Sequence, residues 1–97
     1  MFWRSDASQD VLDALEWYES EAPSQVPRFL RRLRDAEQLI AAYPYMQRLF
    51  DGDFRRIPLK SYPYEIWYRL NESQQSVQIL ALKHERRDST AYLRRLG

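Results

Sequence analysis

The sequence predicts an α+β domain in which an antiparallel two-helix hairpin packs on one face of a mostly antiparallel sheet. Two observations predict this fold. Two segments with a helical apolar period stand first, separated by a short proline-containing break, and segments with a strand-like alternation follow them. A short opening strand and a short closing helix complete the architecture. With 97 residues the chain suffices for one hydrophobic core, so we expect residues 1–97 to form one domain.

The opening strand and the first helix are predicted from local signals. Residues 1–4 can form only a brief strand, whose bulky side chains are compatible with β-structure. Asp6 followed three residues later by Gln9 has the spacing of a capping box, so we expect a helix from there to about Ser20. Its predicted apolar face consists of Val11, Leu12, Leu15 and Tyr18.

The second helix is expected after the break at Ala22-Pro23-Ser24, because proline cannot continue the hydrogen-bond ladder of the first helix. Ser24 is a suitable N-cap, and Pro27 falls within the first turn, where its missing N–H is harmless. Pro44 ends the helix. The predicted apolar face consists of Val26, Phe29, Leu30, Leu33, Ala36, Ile40 and Tyr43.

Three further strands are predicted over residues 54–60, 64–70 and 77–82. Pro58 removes a ladder donor, which favours an edge position or a bulge for the first of them. The second alternates between two faces, and the third is apolar enough to be central. Asp88-Ser89 is expected to cap the last helix. The side chains that would pack from this helix are Tyr92, Leu93 and Leu96.

The composition excludes several kinds of site. The chain has no cysteine, so it forms neither disulfides nor thiolate metal sites, and a reducing compartment is expected. No apolar run approaches the length of a membrane span, and Arg4 and Asp6 stand where a secretory leader would be apolar. We therefore expect a cytoplasmic protein without membrane contact, metal or cofactor.

The charge is unevenly distributed although the net charge is +1. Residues 1–26 carry one base against six acids, whereas residues 27–97 carry fourteen bases against eight acids. This polarity is typical of a surface that meets an acidic protein or a nucleic acid, and it is also compatible with an ordinary solvated shell.

Six motifs follow one another along nearly the whole chain, and together they resemble the RelE/ParE superfamily of toxins. The clearest is the basic stretch at residues 83–88, which follows the last strand as an HxRRD exit. The motifs are Ser5–Val11 (S-x-A-x-x-D-[LV]), Glu16–Tyr18, Arg28–Leu30 (RFL), Tyr43–Pro44, the hairpin Phe54–Ile57 with Tyr62–Arg69, and Ile79–Asp88.

The resemblance implies the toxin of a bacterial type II toxin–antitoxin system of the plasmid-stabilisation kind, held in a hetero-oligomer by its cognate antitoxin. RelE-like members of the superfamily cleave messenger RNA on the ribosome. ParE-like members inhibit DNA gyrase by binding it, with no chemistry of their own. Fold alone does not choose between the two branches, so the site residues must.

A ribonuclease would need a base, an acid and cations around the scissile phosphate. The candidates are His84, the only histidine, with Arg56, Arg86 and Arg87. Glu65 weakens this reading, because it stands in the middle strand where ribonuclease-branch members carry an arginine, and a carboxylate there repels a phosphate. We therefore expect a gyrase-binding protein and not an enzyme, with the ribonuclease as the alternative.

The expected contact residues fall into two groups. A target is expected to contact the basic and aromatic residues Arg55, Lys60, Lys83, Arg86, Arg87 and Tyr92. The antitoxin is expected to contact Ile57, Leu59, Trp67 and Arg69.

Trp67 shares a strand face with Glu65 and Arg69, so another element must cover it or a partner must use it. The short start before Ser5 leaves little first strand, which keeps a third possibility open. In that case the chain is a toxin-like binding module without toxicity.

Overall fold

The computed structural model describes residues 1–50 and 52–96 and confirms the predicted α+β architecture. The helices precede most of the sheet in the chain, as expected. The elements are β1 (Phe2–Trp3), α1 (Ser5–Glu21), a 3₁₀ turn (Pro23–Gln25), α2 (Val26–Ala42), β2 (Leu49–Phe50), β3 (Phe54–Pro58), β4 (Tyr64–Asn71), β5 (Ser76–His84) and α3 (Thr90–Arg94). No helix in the described ranges is long and apolar enough to cross a membrane.

The five strands form one sheet in the order β1-β5-β4-β3-β2. β1 is parallel to β5, and the other neighbours are antiparallel. β1 pairs with β5 at Gln78 and Ile79, and β2 pairs with β3 at Phe54 and Arg55. The later part of β5 and the Pro58 end of β3 are therefore sheet edges, which confirms the edge position predicted from the proline.

The helix hairpin covers one sheet face through small and aromatic side chains. Ala7, Ala14 and Tyr18 of α1 are buried against β5 and its neighbours. From α2, Phe29 lies 5.1 Å from the ring of Tyr18, measured between centroids. The stripe continues at regular helical spacing. The other buried residues of α2 are Leu33, Ala36 and Ile40.

Three residues assigned to the apolar helix faces are instead exposed, so those assignments were wrong. Leu12 is 57% exposed, because the buried stripe of α1 passes through Ala7 and Ala14 and leaves position 12 on another side of the helix. Leu30 directly follows buried Phe29 and is therefore turned well away from the stripe. Tyr43 lies beyond the last residue of α2.

Neither of the side-chain N-caps predicted for the two long helices forms. α1 begins at Ser5, so Asp6 is already inside its first turn, and Gln9 donates to Asp13 Oδ1 (2.9 Å) instead of reaching back. Ser24 lies in the 3₁₀ turn, and α2 begins at Val26 without a side-chain cap. Pro27 does lie in the first turn of α2, as predicted.

The second face of the sheet is covered by α3. The register between β4 and β5 shifts at Trp67/Tyr68, which leaves Leu80 as an extra residue in β5. The bulge allows Leu80 and Ala81 to join the same small core as Trp67 and Tyr92. Tyr92 of α3 lies 5.9 Å from Trp67, between ring centroids, and Trp67 is 0% exposed. Of the two expectations for Trp67, cover by another element is the one that holds.

The predicted start of α3 is confirmed: the helix begins at Thr90, and Asp88 caps it as expected. Asp88 Oδ1 accepts a hydrogen bond from the backbone N–H of Thr90 (2.8 Å). This bond, together with one from the Thr90 hydroxyl, lowers the pKa of Asp88 from its ordinary value.

Candidate interaction site beside strand β5

The unpaired edge of β5 is closed by charged side chains from α1 and the end of α3. Asp10 Oδ2 accepts the backbone N–H of Leu82 (3.1 Å). The same carboxylate receives both terminal nitrogens of Arg95, at 2.7 Å and 2.9 Å. These bonds raise the pKa of Arg95. Arg4 Nη1 donates to the Arg95 carbonyl (2.9 Å), so the start of the chain joins the same network.

A groove of about 460 Å³ lies next to this closed edge, between α1 and the exit of β5. α1 forms one wall because Asp13 and Trp17 point away from the sheet core, and Trp17 is 56% exposed. The end of the β4–β5 ladder and the exit turn form the other wall. Its residues include Tyr64, His84, Arg86, Arg87 and Tyr92.

His84 is half-buried at the end of β5 and has a defined local role. Its ring meets that of Tyr64 edge-on, with 5.0 Å between centroids. Its Nδ1 accepts the backbone N–H of Arg86 (3.1 Å), and its carbonyl accepts the backbone N–H of Arg87 (3.0 Å). Because Nδ1 serves as an acceptor, the proton of the neutral imidazole belongs on Nε2. His84 therefore shapes the exit turn that presents the two arginines.

The two arginines of the exit turn are exposed. Within residues 1–50 and 52–96, neither guanidinium lies within 4.0 Å of a carboxylate, so both are open to a partner. Arg87 lies near the hydroxyl of Tyr64: burial raises the pKa of Tyr64, and the positive charge of Arg87 opposes that rise.

Arg56 belongs to a different face of the sheet, so the proposed catalytic set is not brought together. Its guanidinium lies 3.4 Å from the ring centroid of Phe50 and 3.7 Å from Glu65 Oε1. Glu65 Oε1 also accepts the indole N–H of Trp67 (2.9 Å). His84 faces α1 on the other side. The expectation that His84, Arg56, Arg86 and Arg87 form one site is corrected by the alternation of side chains along the strands.

The other predicted target contacts are likewise dispersed. Arg55 points to the helix side, where its Nε donates to the Gln47 carbonyl (2.7 Å). Lys83 is 4% exposed, and its Nζ donates to the His84 carbonyl (3.1 Å). Lys60 is exposed beyond the end of β3. The predicted target contacts therefore do not form one positive region, because neighbouring strand residues point to opposite faces and Lys83 is buried.

The predicted antitoxin contacts also need correction. Ile57, Leu59 and Trp67 are buried in the two cores, so their side chains offer no surface to a partner in this form of the chain. Arg69 remains accessible and pairs with Asp53 (3.0 Å).

Exposed apolar side chains are found elsewhere, on what we call the apolar ridge, between the end of α2 and β2. The ridge consists of Tyr43, Tyr45, Met46, Leu49 and Phe50. The missed signal was a run of large apolar residues around Pro44 that fits neither a helical nor a strand period.

Sequence reasoning also missed Asp10, Trp17 and Arg95 as site residues. Asp10 stands three residues after Ala7 and four before Ala14, both of them buried, and an acid on the core side of a helix requires a partner. Trp17 offered a weaker signal, since it is an aromatic residue outside the apolar stripe of α1. Nothing in the local sequence indicated Arg95, because its partner is distant along the chain.

Comparison with known proteins gives one family assignment. A family model described as the ParE toxin of the type II toxin-antitoxin system parDE matches residues 1–89. The matched range holds both long helices, all five strands and the exit turn with its two arginines, and it ends before α3. A search of curated proteins found no match.

Proposed function

The chain belongs to the ParE family of toxins of type II toxin–antitoxin systems, and on this premise we propose that it inhibits DNA gyrase by binding it and that its cognate antitoxin neutralises it. The observation that carries the proposal is the separation of His84 from Arg56. His84, Arg86 and Arg87 share one groove, but Arg56 lies on the other face of the sheet, so the predicted catalytic set is incomplete. A binding mechanism therefore accounts for the toxin better than RNA cleavage.

Glu65 strengthens the case against cleavage on the α3 side of the sheet. Its carboxylate receives the indole N–H of Trp67 and pairs with Arg56, so a fixed negative charge lies beside that arginine. A phosphate brought to Arg56 would meet this carboxylate. Within the described residues no cluster of three or more His, Asp and Glu side chains is arranged to hold a metal that would reverse the sign.

On the His84 side, the hydrogen bonds of the groove residues also favour binding over catalysis. Nδ1 of His84 is engaged by the exit turn, which leaves Nε2 as its open position. A ribonuclease needs a second proton-transfer group on the other side of the phosphate. The nearby carboxylates are Asp13, which accepts a bond from Gln9, and Asp10, which is engaged by Arg95 and Leu82.

The apolar ridge supports a place for the antitoxin. Exposed apolar side chains on a free chain can mark an interaction site, and the five residues of the ridge lie within residues 43–50. β2 lies at the end of the sheet, and Leu49 at its start is 51% exposed. A segment that orders on binding can add to such an edge and cover the ridge with its own apolar residues. Arg48, which is exposed beside the ridge, favours an acidic residue in that segment.

Two assays on one preparation test the proposed function. Purified toxin is expected to inhibit supercoiling by DNA gyrase, to leave ribosome-bound messenger RNA intact, and to lose its inhibition when the antitoxin encoded beside it is added. Messenger-RNA cleavage that His84→Ala abolishes would replace the proposal with the ribonuclease. Inactivity in both assays, with antitoxin binding retained, would identify a toxin-like binding module.

A further inference from the structure

The groove between α1 and the exit of β5 combines an exposed tryptophan with two open arginines. Trp17 stands on α1, while Arg86 and Arg87 stand on the exit turn across from it. Tryptophan and arginine are the residue types that most often dominate the energy of a protein interface, particularly when they flank a concave surface. The groove therefore has the composition of a docking site that the family assignment does not describe.

We propose that this groove receives a protruding segment of the toxin's target protein that carries a carboxylate beside a bulky apolar side chain. The carboxylate binds between Arg86 and Arg87, and the apolar side chain packs against Trp17 and the ring of Tyr64. The inference rests on the proposed function in one respect, namely that the toxin acts by binding a protein.

The charges of the groove favour a protein partner over a nucleic acid. Arg86 and Arg87 supply one positive wall, but Asp13 lies on the opposite wall. α1 belongs to the acidic first part of the chain, in which residues 1–26 hold six acids and one base. A phosphate backbone would be repelled along this helix, whereas a single carboxylate reaches the arginines without approaching it.

The closed edge of β5 favours a folded partner over a segment that adds a strand. The outward N–H of Leu82 is taken by Asp10, and the carbonyl of His84 accepts Arg87 N–H and Lys83 Nζ. A disordered segment that binds by strand addition needs those backbone groups. The groove instead offers side chains, which recognise a preformed loop or helix end on a folded target.

The groove and the apolar ridge lie at opposite edges of the sheet. The groove borders β5, and the ridge includes β2, with β4 and β3 between them. The ridge presents an open strand edge with exposed apolar side chains, which suits an antitoxin segment that orders on binding. This separation assigns the groove to the target and the ridge to the antitoxin.

Growth arrest on expression of the full chain in bacterial cells tests the groove whatever the target is. The groove variants are Trp17→Ala and the double variant Arg86→Ala/Arg87→Ala. Two matched controls are Leu12→Ala, an equally exposed apolar residue of α1, and Arg94→Ala, an exposed arginine of α3. Circular dichroism checks that every variant is folded. In parallel, the binding of each purified variant to DNA gyrase and to the antitoxin encoded beside the toxin is measured.

We expect the groove variants to need about tenfold more protein for the same arrest and to bind gyrase about tenfold more weakly, as for loss of an interface anchor. Antitoxin binding and both controls should match the wild type. Full potency of the folded groove variants would overturn the inference, and so would a selective loss of antitoxin binding. RNA or DNA binding that depends on Arg86 and Arg87 would replace the protein partner by a nucleic acid.

The experiments distinguish a wrong target from a wrong binding site on the toxin. Growth arrest that requires the groove, produced by a wild-type chain that does not bind gyrase, would reject gyrase and support the groove with another target protein. Gyrase inhibition that the groove substitutions do not change would support gyrase as the target and reject the groove as its binding site. A wild-type chain that arrests no growth would reject both.

Discussion

Asp10 and Arg95 lie 85 positions apart in the sequence, yet the Asp10 carboxylate accepts both terminal nitrogens of the Arg95 guanidinium at 2.7 Å and 2.9 Å. The pair joins α1 to the residue that follows α3, and Asp10 also holds the backbone N–H of Leu82 at the edge of β5. It closes the sheet edge and holds the cover of the second core in place.

The first prediction concerns this pair. Asp10→Ala is expected to lower the free energy of unfolding by about 3 kcal/mol, because it leaves the Leu82 N–H without an acceptor. It also leaves the partly buried guanidinium of Arg95 with its longer contacts to Asp6 (3.6 Å) and the Leu80 carbonyl (3.4 Å). Arg95→Ala should cost less, about 2 kcal/mol, since Asp10 keeps its bond to Leu82. Urea-induced unfolding followed by circular dichroism measures both. Arg94→Ala is the control, with a change within about 0.5 kcal/mol. Wild-type stability of Asp10→Ala would contradict a structural role for the pair.

The second prediction compares the same substitution at two tryptophans. Trp67 is 0% exposed between Phe54 and Tyr92, whereas Trp17 is 56% exposed. Trp67→Ala should lower the free energy of unfolding by about 3–5 kcal/mol, because a large cavity opens in the second core. Trp17→Ala should change it by less than about 1 kcal/mol. Thermal and urea unfolding of the two variants give the comparison, and equal losses would mean that α3 does not cover Trp67 in solution.

The alternation of β3 and β4 was readable from sequence, and so was the apolar face that meets the helices, whereas the short strand β2 was not predicted. Ile57, Leu59, Ile66 and Tyr68 are buried as their alternation predicts. The element that covers the opposite face was not readable, because a two-residue period identifies two faces and not what packs on each. Trp67 shows the difference, since its position was clear but its cover by Tyr92 depends on a contact between distant segments.

The sequence predicted which residue types the candidate site contains, but it did not predict which of these residues lie together. The basic exit stretch does present Arg86 and Arg87, as its composition suggested. Which cations converge depends on the strand faces: Arg56 pairs with Trp67, and Trp67 pairs with Ala81, three positions before His84. Arg56 and His84 consequently lie on different sides of the sheet, although the sequence motifs had suggested one catalytic set. Long-range pairs such as Asp10 with Arg95 leave no local pattern that spacing arguments can detect.

The third prediction concerns alkaline pH. Burial raises the pKa of Tyr68 above its ordinary value of 10.0, and Tyr18 and Tyr64 are raised for the same main reason. A group whose pKa is higher in the folded state contributes stability that is fully present below the unfolded pKa. That stability is lost as pH rises through the folded pKa. The free energy of unfolding should therefore fall once pH exceeds about 10.

Tyr68→Phe isolates one of these tyrosines. Its hydroxyl donates to the Pro44 carbonyl (3.1 Å), so the variant should lose about 1 kcal/mol at neutral pH. The variant should also lose less stability than the wild type between about pH 9 and about pH 11, because it has one fewer buried phenol to ionise. Urea unfolding at a series of pH values measures the slope. Identical alkaline slopes in the two proteins would assign the loss to Tyr18 and Tyr64 instead.

The fourth prediction concerns the apolar ridge. Met46→Glu places a carboxylate on a side chain that is 54% exposed, so the stability should change by no more than about 0.5 kcal/mol. Antitoxin affinity should fall about tenfold or more. The new carboxylate must lose its water in an apolar interface, and it repels the acidic residue that we expect in the antitoxin segment. Growth arrest by the toxin should persist and become harder to rescue with antitoxin.

Leu12→Glu is the matched control, because Leu12 is a side chain of α1 that is 57% exposed and lies outside the ridge. Calorimetric titration measures the affinity, and unchanged antitoxin binding by Met46→Glu together with a loss in Leu12→Glu would move the antitoxin from the ridge to α1.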